Sequence, residues 1–150
     1  MKKIFWITLF LMCFTGNIFA SSREDFSCKD IRLGDSHQMV MDKLGQPKFD
    51  IEKIVEDRII VYYIYKDFKV GIDKAKDMVV DMRLNDRDYT IKNGVKLGAT
   101  PHKILKEYGK TTRERKNGHM YFIYYNENQK LMFDISAGYL EEIRITSLIQ

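Results

Sequence analysis

The sequence predicts an α+β fold in which two tandem helix–three-strand repeats form one antiparallel sheet with the helices on one face. The first observation is a glycine repeat, because Gly34 and Gly45 recur as Gly98 and Gly109 at a constant offset. The second is that an aromatic run and an alternating segment follow each glycine pair, at residues 62–65 and 82–84 and again at 122–125 and 143–145. A helix followed by three strands, given twice, is typical of an α+β domain.

Residues 1–20 are predicted to be a secretory signal peptide. Lys2 and Lys3 precede an apolar run over residues 4–14, and Ala20 provides a small residue before the cleavage point. The alternative is a retained membrane anchor, but the apolar run is shorter than the ~20 residues that a spanning helix needs. Neither Cys13 nor Cys28 follows the small residues of a lipid-attachment site. We therefore expect an exported protein of the bacterial envelope, periplasmic or secreted, with no stable membrane anchor.

Each repeat is predicted to begin with a short helix. Ser36 and Thr100 are in N-cap positions, where a side-chain oxygen accepts a first-turn N–H. Pro101 suits the first helical position, where its missing N–H has no partner to lose. Gly45 and Gly109 suit the left-handed residue that follows a helix. The predicted boundaries are a flexible N-terminal segment at 21–29, the first repeat at 30–84, a linker at 85–93 and the second repeat at 94–150.

Three strands are predicted after each helix, at 59–65, 68–73 and 78–84 and at 119–125, 130–135 and 139–145. The period of two places these residues towards the helices: Val70, Ile72, Val80, Met82, Leu84, Leu131, Phe133, Ile143 and Ile145. It places these on the uncovered face: Lys69, Asp73, Asp81, Arg83, Lys130, Asp134, Glu142 and Arg144. The first strand of each repeat is apolar on both sides, which predicts an aromatic row on the uncovered face.

The composition argues against several functional classes. The formal net charge is +4 over 150 residues, and a chain this close to neutral is not typical of a nucleic-acid binder. The sequence lacks the zinc-protease, nucleophile-elbow, phosphate-loop and paired-cysteine motifs. Cys28 is the one cysteine beyond the predicted signal peptide, so it has no partner for a disulfide within the chain. The alternative is a dimer linked through Cys28. We expect no catalytic residues, no cofactor and no metal.

Repeated charged residues raise two further alternatives. Aligned by a second constant offset, shorter than that of the glycines, Asp73 corresponds to Asp134 and Asp81 corresponds to Glu142. Paired carboxylates can perform acid–base catalysis when they lie close together, but two copies of one solvated face explain the same pattern. His37 and His102, in the first turns of the two helices, could likewise meet and hold a metal, although exposed first-turn histidines are the simpler interpretation.

The repeat resembles the BamE-like (SmpA/OmlA) family, and the residues that carry the resemblance are Ile31-x-Leu33-Gly34 and Leu44-Gly45-x-Pro47. The tandem arrangement is similar to that of β-lactamase inhibitory proteins, which contain two such modules. The resemblance covers 30–84 and 94–146 and implies a helix-covered sheet whose other face binds a protein. It implies no particular partner, because the inhibitory proteins usually carry a disulfide in each copy and the outer-membrane assembly type is usually a single-copy lipoprotein.

We therefore expect a non-enzymatic binding protein that engages an envelope or extracellular protein through the open face of its sheet. Tyrosines are suitable anchors because they bury a large area at low entropic cost and keep a polar tip. The predicted protein-binding residues are Tyr62, Tyr63, Tyr65, Asp81, Arg83, Phe122, Tyr124, Tyr125, Glu142 and Arg144. The alternative is a periplasmic carrier of a small ligand, a lipid or cell-wall fragment, which would need an apolar cavity.

Overall fold

The computed structural model describes residues 26–91 and 94–148, and the predicted signal peptide at 1–20 lies outside them. This part of the chain forms two short helices and ten strands. The helices are α1 (His37–Leu44) and α2 (Pro101–Tyr108). The strands are β1 (Ser27–Cys28), β2 (Ile31–Arg32), β3 (Phe49–Val55), β4 (Arg58–Ile64), β5 (Phe68–Asp73), β6 (Met78–Leu84), β7 (Thr112–Lys116), β8 (His119–Asn126), β9 (Gln129–Ser136) and β10 (Tyr139–Thr146).

Eight of these strands form one antiparallel sheet, in the order β3-β4-β5-β6-β10-β9-β8-β7. We call α1 with β3–β6 the first half and α2 with β7–β10 the second half. The halves meet where β6 pairs with β10, and there Arg83 lies directly opposite Arg144. The antiparallel pairing at this point relates the halves by an approximate twofold axis. The sheet is therefore continuous across both halves.

The predicted helix–three-strand repeat is wrong, because four strands follow each helix; the broader α+β class still fits. The additional strands, β3 and β7, are the two edges of the sheet and nearly all of their residues are exposed. They lack the buried pattern by which β4–β6 and β8–β10 were recognised, and the short strands β1 and β2 were not predicted either. Each edge strand joins the next strand through a two-residue turn with positive φ at both positions, Glu56-Asp57 in one half and Asn117-Gly118 in the other.

The predicted helix ends are confirmed. The Met39 N–H donates to Ser36 Oγ at 3.3 Å, and the Lys103 N–H donates to Thr100 Oγ1 at 3.4 Å. Gly45 and Gly109 follow the helices with φ of 73° and 80°. Within the described residues, no helix is long and apolar enough to cross a membrane.

Both helices pack on the same face of the sheet, which we call the helix-side face. Val40 of α1 and Ile104 of α2 belong to one buried cluster with the inward residues of the strands. The predicted inward residues lie in this cluster, with the exception of Val80. Val80 packs on the opposite, open face with Ile60 and Tyr62, because an irregularity in the β5–β6 ladder shifts the register there.

The ladder registers correct the residue correspondence between the halves. Counted outwards from the Arg83–Arg144 pair, Gly71 corresponds to Asp134, whereas the constant-offset alignment had matched Asp134 with Asp73. The cause is loop length, since residues 74–77 join β5 to β6 but residues 137–138 join β9 to β10. Continued outwards, the registers match Asp81 with Glu142, Tyr62 with Tyr121, Tyr65 with Tyr124 and Ile51 with Glu114.

Cys28 lies in the helix-side core. Together with Phe26 it is buried within the segment 21–29 that was predicted to be flexible. Burial raises the pKa of the Cys28 thiol to about 12, so the thiolate that forms disulfides is scarce at neutral pH. The structure thus gives a Cys28-linked dimer no accessible thiol.

Candidate functional site

The structure divides the predicted binding residues between the two faces of the sheet. On the open face lie Tyr62, Asp81, Arg83, Tyr125, Glu142 and Arg144. On the helix-side face lie Tyr63, Tyr65, Phe122 and Tyr124, all in or against the main core. The predicted aromatic row is therefore split, since successive residues of a strand point to opposite faces.

The helix-side tyrosines join the helices to the sheet. Tyr65 donates its hydroxyl hydrogen bond to the Gly45 carbonyl at 3.0 Å, and Tyr124 donates to the Gly109 carbonyl at 3.1 Å. These bonds occupy equivalent positions in the two halves and satisfy carbonyl groups at the helix C-termini. These hydrogen bonds give Tyr65 and Tyr124 a structural role, so the binding residues of the open face must be others.

A buried carboxylate organises the centre of the open face. Asp81 is 0% exposed and accepts hydrogen bonds from Arg144 Nε at 2.7 Å and from Arg83 Nε at 3.3 Å. The Tyr62 hydroxyl also donates to it, at 3.2 Å. Like charges directly opposite each other in a sheet are unfavourable, and Asp81 offsets part of this repulsion because it bonds to both facing arginines. We call Tyr62, Asp81, Arg83 and Arg144 the Asp81 cluster.

Gly71 permits the contact between Tyr62 and Asp81. A Cβ atom at Gly71 would lie 2.8 Å from Cε1 of Tyr62 and 3.2 Å from Cβ of Asp81. Without a side chain at Gly71, the Tyr62 ring lies across the strand and its hydroxyl reaches the carboxylate. Burial, assisted by the charge of Asp81, raises the pKa of Tyr62 to about 12. Tyr62 therefore remains a hydrogen-bond donor at physiological pH.

The corresponding residues of the second half form a different arrangement. Glu142, Asp134, Tyr121 and Glu114 are direct neighbours in register across β10, β9, β8 and β7. We call them the acidic row. Asp134 stands where the first half has Gly71, and His119 Nδ1 lies 2.7 Å from its carboxylate. The Tyr121 ring stacks on His119, with the ring centroids 6.2 Å apart.

Glu142 makes a loose ion pair. Its side chain is 27% exposed, and Oε1 lies 4.0 Å from Nη1 of Arg83, whose Nε is hydrogen bonded to Asp81. Burial raises the pKa of Glu142, and the charges of Asp134 and Asp81 add to this rise, against the opposing effect of Arg83 and Arg144. The ionised carboxylate is therefore incompletely compensated.

A concave site of about 520 Å³ lies over these residues. It is lined by the whole acidic row and by Arg83, Lys130, Met132 and Arg144, among others. Nearby, Tyr125 is 52% exposed and Lys130 lies over its ring. Among the described residues, no three His, Cys, Asp or Glu side chains could hold a metal ion together. What this arrangement supplies is a set of fixed charges and an aromatic ring that can bind a partner.

Sequence reasoning missed Tyr121, Asp134 and Glu114 as site residues. One signal was present, because the tetrad at 62–65, Tyr-Tyr-Ile-Tyr, matches Tyr-Phe-Ile-Tyr at 121–124 better than the run at 122–125 that was aligned with it. That match identifies Tyr121 as the counterpart of Tyr62. Glu114 lies on an edge strand that the pattern did not indicate.

No protein-family profile and no characterised protein sequence matches the chain. Solved structures do share its fold. YjgB of Bacillus subtilis, a DUF4309 family protein, aligns with a TM-score of 0.54 and 16% identity, over 75% of this chain and 78% of its own. An extracellular protein containing an SCP domain, from Bacillus anthracis, aligns with a TM-score of 0.58 and 11% identity, over 76% of this chain.

This chain covers only 43% of the Bacillus anthracis protein. A candidate β-lactamase inhibitor protein from Streptococcus mutans aligns over 86% of this chain and 90% of its own, at 13% identity, but its TM-score of 0.34 is too low to support an argument. Identities at this level show the fold alone. The resemblance to BamE-like modules stays a prediction.

Proposed function

We propose that the protein is an exported, non-enzymatic binding protein that holds an envelope or extracellular protein on the open face of its second half. The observation that carries the proposal is the concave site of about 520 Å³ lined by the acidic row and the arginines of the Asp81 cluster. The similarity of the fold to an extracellular Bacillus anthracis protein supports export.

The site is arranged for binding before a partner arrives. Asp81 holds Arg83 and Arg144 through hydrogen bonds, and the Asp134–His119 pair and the stacked Tyr121 ring order the neighbouring strands. Side chains that are already ordered lose less entropy on association. Arginine and tyrosine are also the residue types that most often dominate the energy of protein interfaces.

A small-ligand carrier would need an apolar cavity between the sheet and the rest of the chain. Between sheet and helices the described residues form a packed core, in which Val40 and Ile104 belong to one buried cluster with strand residues such as Phe133. The concave site on the open face is lined largely by charged side chains instead. These observations favour a protein partner.

Site-specific photo-crosslinking in cells that produce the protein tests the proposal. A crosslinking amino acid replaces Tyr125 on the open face or, as the matched control, Met39 on α1; both side chains are large and exposed, at 52% and 43%. The proposal predicts a covalent complex with another protein from position 125 and none from position 39. A complex from position 39 alone, or from neither position, contradicts it.

A further inference from the structure

The large sheet ends at two strands whose outer sides are unpaired in the part of the chain that the structure describes. These strands are β3 and β7, and their residues are exposed almost throughout. Seven strand spacings of about 4.8 Å put the two edges roughly 34 Å apart within one copy. We propose that the edges pair between copies, so that β3 of one copy adds antiparallel to β7 of the next and the protein associates with itself head to tail.

The edge of the first half is acidic on the helix-side face. Asp50 lies opposite Tyr63, which packs against the helix-side core, so Asp50 and Glu52 both point to that face. Both acidic residues are exposed. Lys74 forms an ion pair with Glu52, but both side chains of this pair are about half exposed, so the carboxylate can accept a second cation.

The edge of the second half is basic on the same face. Arg113 lies opposite Phe122 of the helix-side core, so Arg113 and Arg115 both point to that face. The guanidinium carbon of Arg113 lies 5.3 Å from the centroid of the Phe122 ring, and both arginines are exposed. The two edges therefore carry complementary charges on one side of the sheet.

The outward backbone groups of β3 belong to its acidic residues. In an antiparallel ladder, hydrogen-bonded pairs alternate with pairs whose N–H and C=O groups point away from each other. The Ile59 carbonyl accepts from the Lys74 N–H on the β5 side. Its ladder partner on β3, Ile54, therefore directs its backbone groups outwards, and by alternation Glu52 and Asp50 do the same.

At β7 the same alternation turns the arginines outwards. The Ile123 carbonyl accepts from Thr111 Oγ1, so it points towards β7. Thr112, the ladder partner of Ile123, is then bonded inwards, and Arg113 and Arg115 direct their N–H and C=O groups outwards. The residues that can form a new ladder are thus the charged residues of each edge.

Antiparallel pairing of the two edges places opposite charges directly across from each other. With Asp50 opposite Arg115, Glu52 lies opposite Arg113, and all five residues of β7 lie against residues 49–53. Opposite charges at such positions are stabilising. The strand directions agree, because the eight strands alternate in direction and the β3 that follows β7 is antiparallel to it with the helices on the same face.

Neither edge is suited to pairing with itself. Two copies of β7 joined through their outward residues place arginine opposite arginine in every register. Two copies of β3 with most of the strand overlapping place Glu52 opposite Glu52, Glu52 opposite Asp50 or Lys53 opposite Lys53. Charged edges normally prevent such additions, and here the charges permit the head-to-tail combination. A heterologous contact of this kind extends into an open row of copies.

Sedimentation velocity of the protein, purified from cells that produce and export it, tests the inference. The contact is small, so we expect weak association, with an average mass that rises between about 10 µM and 1 mM protein. Added salt should reduce the association, because exposed ion pairs are screened. A protein that remains monomeric over the whole range overturns the inference.

Two charge-reversed variants identify the contact. Asp50→Lys with Glu52→Lys makes both edges basic, and Arg113→Glu with Arg115→Glu makes both edges acidic. Each variant alone should associate at least about tenfold more weakly, because two opposite-charge pairs become like-charge pairs. An equimolar mixture should associate again, which also shows that both variants are folded. A mixture that stays monomeric, or variants that associate as the wild type does, contradict the proposed pairing.

A charge-matched control separates this contact from a general effect of charge. Asp42→Lys with Glu107→Lys makes the same change in net charge on the two helices, where Asp42 accepts from Gln38 and Glu107 pairs with Lys103. This variant should associate as the wild type does, and an equal loss overturns the inference. The charged pairs lie on the face opposite the concave site, so failure of either proposal leaves the other standing.

Discussion

Corresponding positions have different roles in the two halves of the open face. In the first half Gly71 lets Tyr62 lie across the sheet and bond to the buried Asp81. The same positions in the second half hold Asp134, Tyr121 and Glu142, and there the tyrosine stacks on His119 while the glutamate faces a concave site. The comparison shows that Gly71 allows a buried contact between Tyr62 and Asp81, whereas Asp134 at the corresponding position accompanies an open surface.

The first half is also covered by the chain itself. After β10 the backbone bonds to Val80, through the Ser147 N–H at 2.9 Å. Leu148 is thereby buried against Ile60, Tyr62 and Val80. This apolar closure covers β4 and β6 of the first half, whereas Phe49 and Ile51 on the edge strand β3 remain 54% and 41% exposed on the same face.

The largest expected effect is a loss of stability when the buried carboxylate of Asp81 is changed. Asp81→Asn removes the counter-charge between Arg83 and Arg144 and should lower the free energy of unfolding by about 3–5 kcal/mol, the cost of breaking a buried ion pair. Urea unfolding followed by circular dichroism measures it. The matched control is Asp67→Asn, whose ion pair with Lys66 is exposed and should cost less than about 1 kcal/mol. Similar losses for both variants would contradict the structural role of Asp81.

A smaller loss is expected where Tyr62 crosses Gly71. Gly71→Ala introduces a Cβ atom 2.8 Å from the Tyr62 ring and should cost about 1–3 kcal/mol through overpacking. The same denaturant titration measures the change. In a Tyr62→Leu background the ring is absent, so the cost of Gly71→Ala should fall. An unchanged cost would show that the ring does not set the requirement for glycine.

On the helix-side face the two halves are alike, because each has a tyrosine that bonds to the glycine carbonyl at a helix C-terminus. Tyr65→Phe and Tyr124→Phe each remove one hydrogen bond to a glycine carbonyl at a helix C-terminus. Each should cost about 1 kcal/mol, the usual net value of such a bond. Calorimetric unfolding of both variants checks it. Clearly unequal losses would show that the two hydrogen bonds do not stabilise their halves to the same extent.

The smallest expected effect concerns pH and the second half. The hydrogen bond to Asp134 and its charge raise the pKa of His119 above its ordinary value, so the protonated pair stabilises the folded state. That contribution is complete below the ordinary pKa of about 6.5 and is lost as the pH rises through the raised value. An NMR titration of His119 measures it. Asp134→Asn should return the pKa towards its ordinary value; a pKa unaffected by Asp134→Asn would contradict the pair.

The sequence predicted those features that depend on local chemistry. Ser36 and Thr100 cap their helices as expected, and strands that bury one face, such as β9, were recognised by alternation. The edge strands were missed because exposed edges need no apolar pattern. Asn117-Gly118 is a strong hairpin signal that indicates β7 in retrospect, whereas Glu56-Asp57 gives no such signal for β3.

The acidic row could not be read from a constant-offset alignment. Its members come from four strands, and the loops between β8 and β9 and between β9 and β10 differ in length from their counterparts in the first half, so Asp134 was matched with Asp73 instead of Gly71. Only the ladder register identifies neighbours across strands. Burial of Asp81, a charged residue on a strand face expected to be solvated, likewise depends on Arg83 and Arg144 meeting at the centre of the sheet.

The central claim is that the second half of the open face binds a partner while Ile60, Tyr62 and Val80 of the first half are covered by Leu148. Amide chemical shifts of the isotope-labelled protein, recorded with and without the partner protein captured from position 125, test it most directly. The account predicts shifts at Glu142, Asp134 and Glu114, with Gly71 and Ile60 unaffected. Shifts centred on β3–β5, or spread evenly over both halves, would contradict it.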